Sequence, residues 1–549
     1  AATENVKNDL LHCTQIGSKL SEEFTKACLE DGTRFERAIK RRKIKNFSSD
    51  AINLKVKTKD KKIEEVQATR DLLGRMLSLS LTYELDIAYI LQFPLTPVPL
   101  SLCDIAGVKH KSSKAALKNH LEDTKCKTSP VNLDVVLIDA MCLIHSLPNT
   151  STTYGTLAHQ ILTQVCRMAP KIHFVCDTYI SPSIKDPERS GRYGGKGTSV
   201  RVTGSNQKVA YLEECLADND YKTSLFQFLL HEWQRDAYAK IIKDRKVFFS
   251  HEGVCHLLFA DDNKMFCQEI EQLRNKHEEA DTLLILHLSY AIRTYEQSDD
   301  TDDQHVNKLC ASVRATDTDV FILLLYFAHH MEANIWMDTG FNRNNTRNYI
   351  NVSTLANDLG PSICQALIGY HAFTGCDFTA SFVSKGKLRP FKRMVKDKTI
   401  RLPHVSEAFA KLGEEIEVDD TTASHLEGFV CTIYSAPKFV TNVDEARFAI
   451  FNKRFSPSDP SRPFHDLQKL DPSFLPPCKA TLKQKISRSN FVAYTWKRAN
   501  TVHPQPHSPV NHGWQLDGSR YSILWYDCTT LPANLQARLV VDELFQGDD

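Results

Sequence analysis

Asp139, Asp177, Glu279, Asp281, Asp317, Asp319 and Asp377 are the residues of this chain whose types and spacing point to chemistry. Each lies at the end of an apolar run or inside one, in the contexts VVLID, HFVCD, HEEADTLLIL, RATDTDVFILLL and FTGCD. Singly, the acids have ordinary uses. Asp139 and Asp317 precede helical stretches and suit helix N-caps. Glu279 and Asp281 fall in a first helical turn, which favours negative charge, and Asp377 after Gly-Cys suits a turn. Together they are costly. Two like charges about 4 Å apart repel by about 4 kcal/mol at an effective dielectric near 20. Capping calls for neither Asp-x-Asp and Glu-x-Asp pairs nor acids at the ends of several strands. Such a crowd either raises its pKa values or gathers cations, and hard oxygen ligands suit Mg²⁺ or Mn²⁺.

The elements that must position these acids begin at residue 131. VVLIDA reads as a strand, 155–168 as a helix and KIHFVCD as a strand. After a long polar stretch, 178–245, KVFFSHE reads as a strand, EEADTLLILHLSYAIRTYE as a helix and CASVRAT as a strand. DVFILLLYFAHH then reads as a helix and ANIWMD as a strand. Strands alternating with helices predict an α/β fold with a parallel sheet covered on both faces. In such sheets ligands bind outside the carboxyl ends of the strands, where Asp139, Asp177, Asp317 and Asp319 fall. Residues 361–400 read as a helix–turn–helix-type segment. Residues 1–130 form a helical accessory region, with a helix expected at 66–80, and 401–549 a C-terminal extension.

A chain of 549 residues is too long for a single core. Its net charge of +1 gives no global attraction to nucleic acid, so any such binding must come from local patches. Lys40-Arg41-Arg42-Lys43 suits a nuclear-import signal, a phosphate-binding patch or a solvated helix face. The sixteen cysteines form no CxxC pair and no Cys/His set at zinc spacing. Reduced thiols in a nuclear or cytoplasmic compartment are expected, nuclear being favoured. The longest apolar run, Val320 to Ala328, is about half the ~20 residues a membrane helix needs, so no membrane partner is expected. SDDTDDQ at 298–304 reads as an exposed acidic loop.

The motifs, in order, resemble those of the flap endonuclease/XPG-type nucleases of the PIN-like superfamily. LIDAMCLIH resembles the family's first strand and aspartate, FVCD the second, HEEAD its internal acidic motif and ATDTDVFIL the motif with two aspartates. TGCDFTASF resembles the motif that opens a helix–two-turn–helix segment. The resemblance covers about 131–400. It implies a PIN-like nuclease core, with 178–245 as an arch or insertion. It also implies a metal-dependent nuclease acting on DNA or RNA, branched or single-stranded, with two Mg²⁺ or Mn²⁺ ions. Asp139, Asp177, Glu279 and Asp281 would serve the first ion. Asp317, Asp319 and Asp377 would serve the second, with Asp281 open to sharing. Lys185 and Arg192 would be catalytic. Arg189, His145, Lys385, Lys387, Arg389, Lys392 and Arg393 would contact nucleic acid. The chain departs from the pattern at the family's Gly-x-Gly hairpin, of which only Gly386 remains. Two other readings stay open: an inactive scaffold with the same fold, and a nuclease domesticated from a mobile element.

Overall fold

The computed structural model of the chain describes residues 12–30, 86–104, 106–122, 126–147, 151–193, 200–209, 212–297, 308–341, 346–396, 404–455, 472–505 and 508–533. The basic run at 40–43, the helix expected at 66–80 and the acidic loop at 298–304 lie outside them. One compact unit comprises Ala1–Leu85 with Pro457–Asp471, of which the helix Cys13–Glu30 is described. The other comprises Asp86–Ser456 with Pro472–Asp549 and holds all the acids.

This second unit is α/β. Its strands are β1 (Val135–Asp139), β2 (Lys171–Val175), β3 (Lys246–His251), β4 (Val254–Asp261), β5 (Lys264–Glu269), β6 (Leu309–Arg314), β7 (Ala333–Phe341) and β8 (Arg347–Asn351). They form an eight-stranded sheet in the order β5-β4-β3-β2-β1-β6-β7-β8. The central five, β3-β2-β1-β6-β7, are parallel, and the outer strands pair antiparallel. Val135 and Val136 of β1 pair with Lys171 and Ile172 of β2, and with Ala311 and Ser312 of β6. From β1 the chain builds outward to β2 and β3, then returns to place β6 on the other side of β1. The strand order therefore reverses between β1 and β6, the place where an open α/β sheet leaves a crevice at its carboxyl edge.

The helices used below are α1 (Ala115–Leu121), α2 (Ala140–His145), α3 (Tyr154–Val165), α4 (Asp186–Tyr193), α5 (Asn219–Trp233), α6 (Ala280–Glu296), α7 (Thr318–Phe327), α8 (Pro361–Thr374), α9 (Leu388–Lys396), α10 (Val405–Lys411), α11 (Asp420–Ile433) and α12 (Lys479–Lys497). Alternation along the strands sends Val136, Ile138, Ile172, Phe174, Val247 and Phe249 into one core with α3 and α5, whose Leu157, Ile161, Phe226 and Trp233 meet them. Helix α6 packs across β1, β2 and β6, and α7 packs against α1, α6 and α8. Nearly every residue of α7 is buried, as an all-round apolar helix must be.

Residues 178–245, read from sequence as a polar insertion, contain α4 and the core helix α5. The buried positions of α5, Tyr221, Leu225, Leu229 and Trp233, recur every four residues or so, but polar neighbours dilute the pattern. Strands β4 and β5 were not expected. Their turn is marked by Asp262 and Asn263, both with positive φ, the conformation of a two-residue hairpin. Helix α12 lies within the C-terminal extension. It packs on α8 and α11. Among the described residues no helix is long and apolar enough to cross a membrane.

Helices α8 and α10 cross at Gly369, where an added Cβ would sit 2.1 Å from the Phe409 carbonyl oxygen. Backbone cannot yield as a flexible side chain does. Gly369→Ala is therefore expected to destabilise the protein by about 1–3 kcal/mol or more, measured by urea denaturation. An unchanged midpoint would show that the two helices can separate freely.

Candidate metal centre

The carboxyl edge of β1, β2 and β6 gathers the acids, and several of them cap helices as their sequence contexts suggested. Asp139 ends β1 and N-caps α2, its Oδ1 accepting from the Met141 and Cys142 amides at 2.8 and 3.1 Å. Asp317 N-caps α7 and accepts from the Asp319 amide at 2.9 Å. Asp177, just past β2, accepts from the Ala280 amide at 2.8 Å, so it satisfies an orphan donor at the start of α6. Glu279 occupies the N-cap position of α6 without capping it. Its carboxylate is buried and forms an ion pair with Lys185.

Capping leaves the repulsion standing. Asp281, Asp317 and Asp319 each present an oxygen, and these oxygens lie within 4.8 Å of one another. Asp319 is buried, whereas the Asp317 side chain keeps 38% of its exposure and opens the cluster to solvent. Burial pushes the Asp139 carboxyl up to about 7, with Asp177 and Asp317 adding to the rise and the two capping amides opposing it. Burial also raises Asp281, as do Asp317 and Asp319, against the pull of Lys185. Asp317 is raised by burial and by Asp319, with Lys114 opposing. Three acids are thus raised by burial and, to a lesser degree, by their acidic neighbours. The donor set, Asp281, Asp317 and Asp319, consists of hard oxygens at the starts of α6 and α7 and suits a divalent cation such as Mg²⁺ or Mn²⁺.

The other side of the centre is compensated by lysine. Lys114, the residue before α1, places its Nζ 2.8 Å from Asp319 Oδ2, 2.5 Å from Asp377 Oδ1 and 4.0 Å from Asp317 Oδ1. Asp319 is pushed up by burial, but Lys114 and a hydrogen bond from His371 outweigh this and hold it below the usual carboxylate range. That bond spans 2.7 Å. An ionised carboxylate only accepts, so His371 Nε2 donates. Burial pushes His371 down to about 4, so the ring is neutral at pH 7. Trp496 of α12 stacks on this ring at 5.8 Å. Asp377 is likewise lowered: burial and Asp319 raise it, and Lys114 and Lys185 more than offset them.

The residues expected to meet substrate are scattered. Lys185 lies 3.9 Å from Asp377 as well as on Glu279, at the edge of the centre. Arg189 pairs with the buried Glu278 at 2.8 Å and faces the Tyr179 ring. Arg192 lies in the last turn of α4, and its side chain is outside the described residues. His145 is exposed at the end of α2. Lys387 is 1% exposed and donates to the His371 carbonyl and Thr374 Oγ1, each at 2.9 Å. It secures the end of α8 and is withdrawn from solvent, so the expectation of phosphate contact does not hold for it. Lys385 faces the Tyr434 ring at 4.2 Å. Arg389, Lys392 and Arg393 are exposed on α9, and Arg393 donates to the Thr432 carbonyl.

Sequence reasoning missed Lys114 and His371. Neither belongs to a motif, and Lys114 lies 205 positions from Asp319. Only packing brings them in.

Asp377 owes its place to Gly375, whose φ is +113° and whose Cβ position lies 2.8 Å from Ser381 Cα. Beyond it, Lys485 of α12 donates to the Ala380 carbonyl at 2.6 Å. The C-terminal extension therefore buttresses the loop that carries Asp377. Gly375→Ala is expected to cost about 1–3 kcal/mol and to weaken Mn²⁺ binding, measured by calorimetry. Unaltered Mn²⁺ affinity would show that the turn does not control the centre.

No family model matches this chain, and no curated protein matches it.

Proposed function

We propose that this chain is a metal-dependent phosphodiesterase acting on nucleic acid, built on a PIN-like core of the flap-endonuclease type. The observation that carries the reading is the meeting of Asp281, Asp317 and Asp319 oxygens in the crevice where the strand order reverses. Asp139, Asp177 and Glu279 back this group, and Asp377 faces it across Lys114. A Mg²⁺ or Mn²⁺ ion held there would supply Lewis-acid chemistry for phosphodiester hydrolysis. The chain's own residues do the rest. Asp281, Asp317 and Asp319 would hold the ion. Lys185, at the edge of the centre beside Glu279 and Asp377, attracts and orients the scissile phosphate and stabilises its added negative charge. The exposed Arg389, Lys392 and Arg393 on α9 offer phosphate contacts away from the reaction.

One observation favours a second reading, a scaffold without catalysis. Lys114 and Lys185 already neutralise part of the acid cluster, so the fold tolerates its carboxylates in part without an ion. The deciding test incubates the purified full chain with end-labelled single-stranded, flapped and duplex DNA and the matching RNAs. Cleavage in millimolar Mn²⁺ or Mg²⁺ that is abolished by a chelator supports the phosphodiesterase. Intact substrates in every case, with no Mn²⁺-dependent rise in melting temperature, leave the scaffold.

A further inference from the structure

Resting on the metal-centre reading above, we infer that Lys114 takes the place of a second divalent cation, so that this centre holds one ion on Asp281, Asp317 and Asp319. The donors that a second ion would share are Asp317, Asp319 and Asp377, and the Lys114 ammonium lies among them. Its Nζ is 2.5 Å from Asp377, 2.8 Å from Asp319 and 4.0 Å from Asp317. An ammonium carries three donors and no acceptor, so it can serve several carboxylates at once as a hard cation does. The other Asp377 oxygen faces Lys185 at 3.9 Å, which leaves both oxygens of that carboxylate turned toward ammonium groups.

The lysine is built in rather than loosely placed. It occupies the N-cap position of α1, whose Leu117 and Leu121 are buried and which packs on α7, the helix that carries Asp319. One turn on, Lys118 reaches the Thr316 carbonyl at 3.4 Å and lies 5.9 Å from the centre of the Phe321 ring on α7. The ammonium and the acids it serves therefore belong to one packed assembly. The Lys114 side chain is 20% exposed, so solvent gives it little room to withdraw. The pairing is also one-sided: Asp319 and Asp377 meet an ammonium, while Asp281 meets the oxygens of Asp317 and Asp319. Charge thus remains for a single divalent ion on the Asp281 side. An ion on the Asp377 side would have to share carboxylates with a cation already there.

The test counts Mn²⁺ on the full chain by equilibrium dialysis, with free Mn²⁺ read by electron paramagnetic resonance. Wild type is expected to bind one Mn²⁺ per chain, Lys114→Arg also one, and Lys114→Met two. In the same series the Mn²⁺ dependence of cleavage changes from first order in wild type to second order in Lys114→Met. Two ions on wild type, or a folded Lys114→Met that still binds one, overturn the inference and leave the metal centre standing. No Mn²⁺ on wild type overturns the metal centre itself and the inference with it. If Lys114→Met does not fold by circular dichroism, Lys114→Gln and the wild-type count decide by the same criteria.

Discussion

Asp317→Asn is expected to lower Mn²⁺-dependent cleavage by about 10³-fold or more while raising the melting temperature of the metal-free protein. The two effects separate because Asp317 has two roles. As an N-cap it accepts from the Asp319 amide, and asparagine caps a helix as well as aspartate does. As a ligand it supplies a charged oxygen to the group formed with Asp281 and Asp319, and a neutral amide is a far weaker partner for a hard cation. Burial and Asp319 disfavour its ionised form, so removing the charge relieves the folded state. Asp317→Ala separates the roles from the other side: it loses the cap as well, at a cost of about 1 kcal/mol. Single-turnover cleavage and melting in chelator measure both quantities. Activity within tenfold of wild type would falsify the assignment of Asp317 as a ligand, and a lower melting temperature for Asp317→Asn would show that its charge does not burden the metal-free fold.

The second large effect concerns Asp139. Its carboxyl is pushed up to about 7 from an unfolded value near 4. Between those pH values the folded chain holds a proton that the unfolded chain has released. Asp139 therefore costs stability that is absent below about pH 4, grows as pH rises and is complete above about pH 7. A shift of about three units corresponds to about 4 kcal/mol, an upper bound given the coupling to Asp177. Asp139→Asn keeps an acceptor for the Met141 and Cys142 amides and removes the charge. The variant should match wild type at pH 4 and exceed it progressively up to pH 8, with metal removed. Buried histidines such as His277, pushed down to about 4, impose an opposite pH dependence on both proteins, which cancels in the difference. Urea titrations across this range provide the measurement, and a stability gap that is flat or closes with rising pH contradicts it.

Much of the fold could be read from local pattern. Apolar runs such as VVLID and KIHFV became parallel strands because strands buried on both faces need continuous apolar sequence. TDVFILLLYF became a helix buried almost throughout. Polar-diluted elements were harder to read: α5 lay hidden in 178–245, and β4 and β5 carry exposed residues that blur any alternation. The flanks were the least legible, since α1 and α12 contribute through long-range contacts that leave no spacing in the sequence.

By itself, the sequence determined that acids would stand at the carboxyl ends of β1, β2 and β6, because strand ends and helix caps are set by neighbouring residues. Only the tertiary structure decided which acids meet and which are neutralised. Asp281, Asp317 and Asp319 converge because α6 and α7 start side by side. Asp319 and Asp377 are satisfied by Lys114, brought from 205 positions away from Asp319. Burial raises the acids of the centre, and only Asp319 and Asp377 are lowered against it, by that distant ammonium together with His371 and Lys185. Charge compensation acts through space over a few ångströms, and no local rule of sequence fixes it.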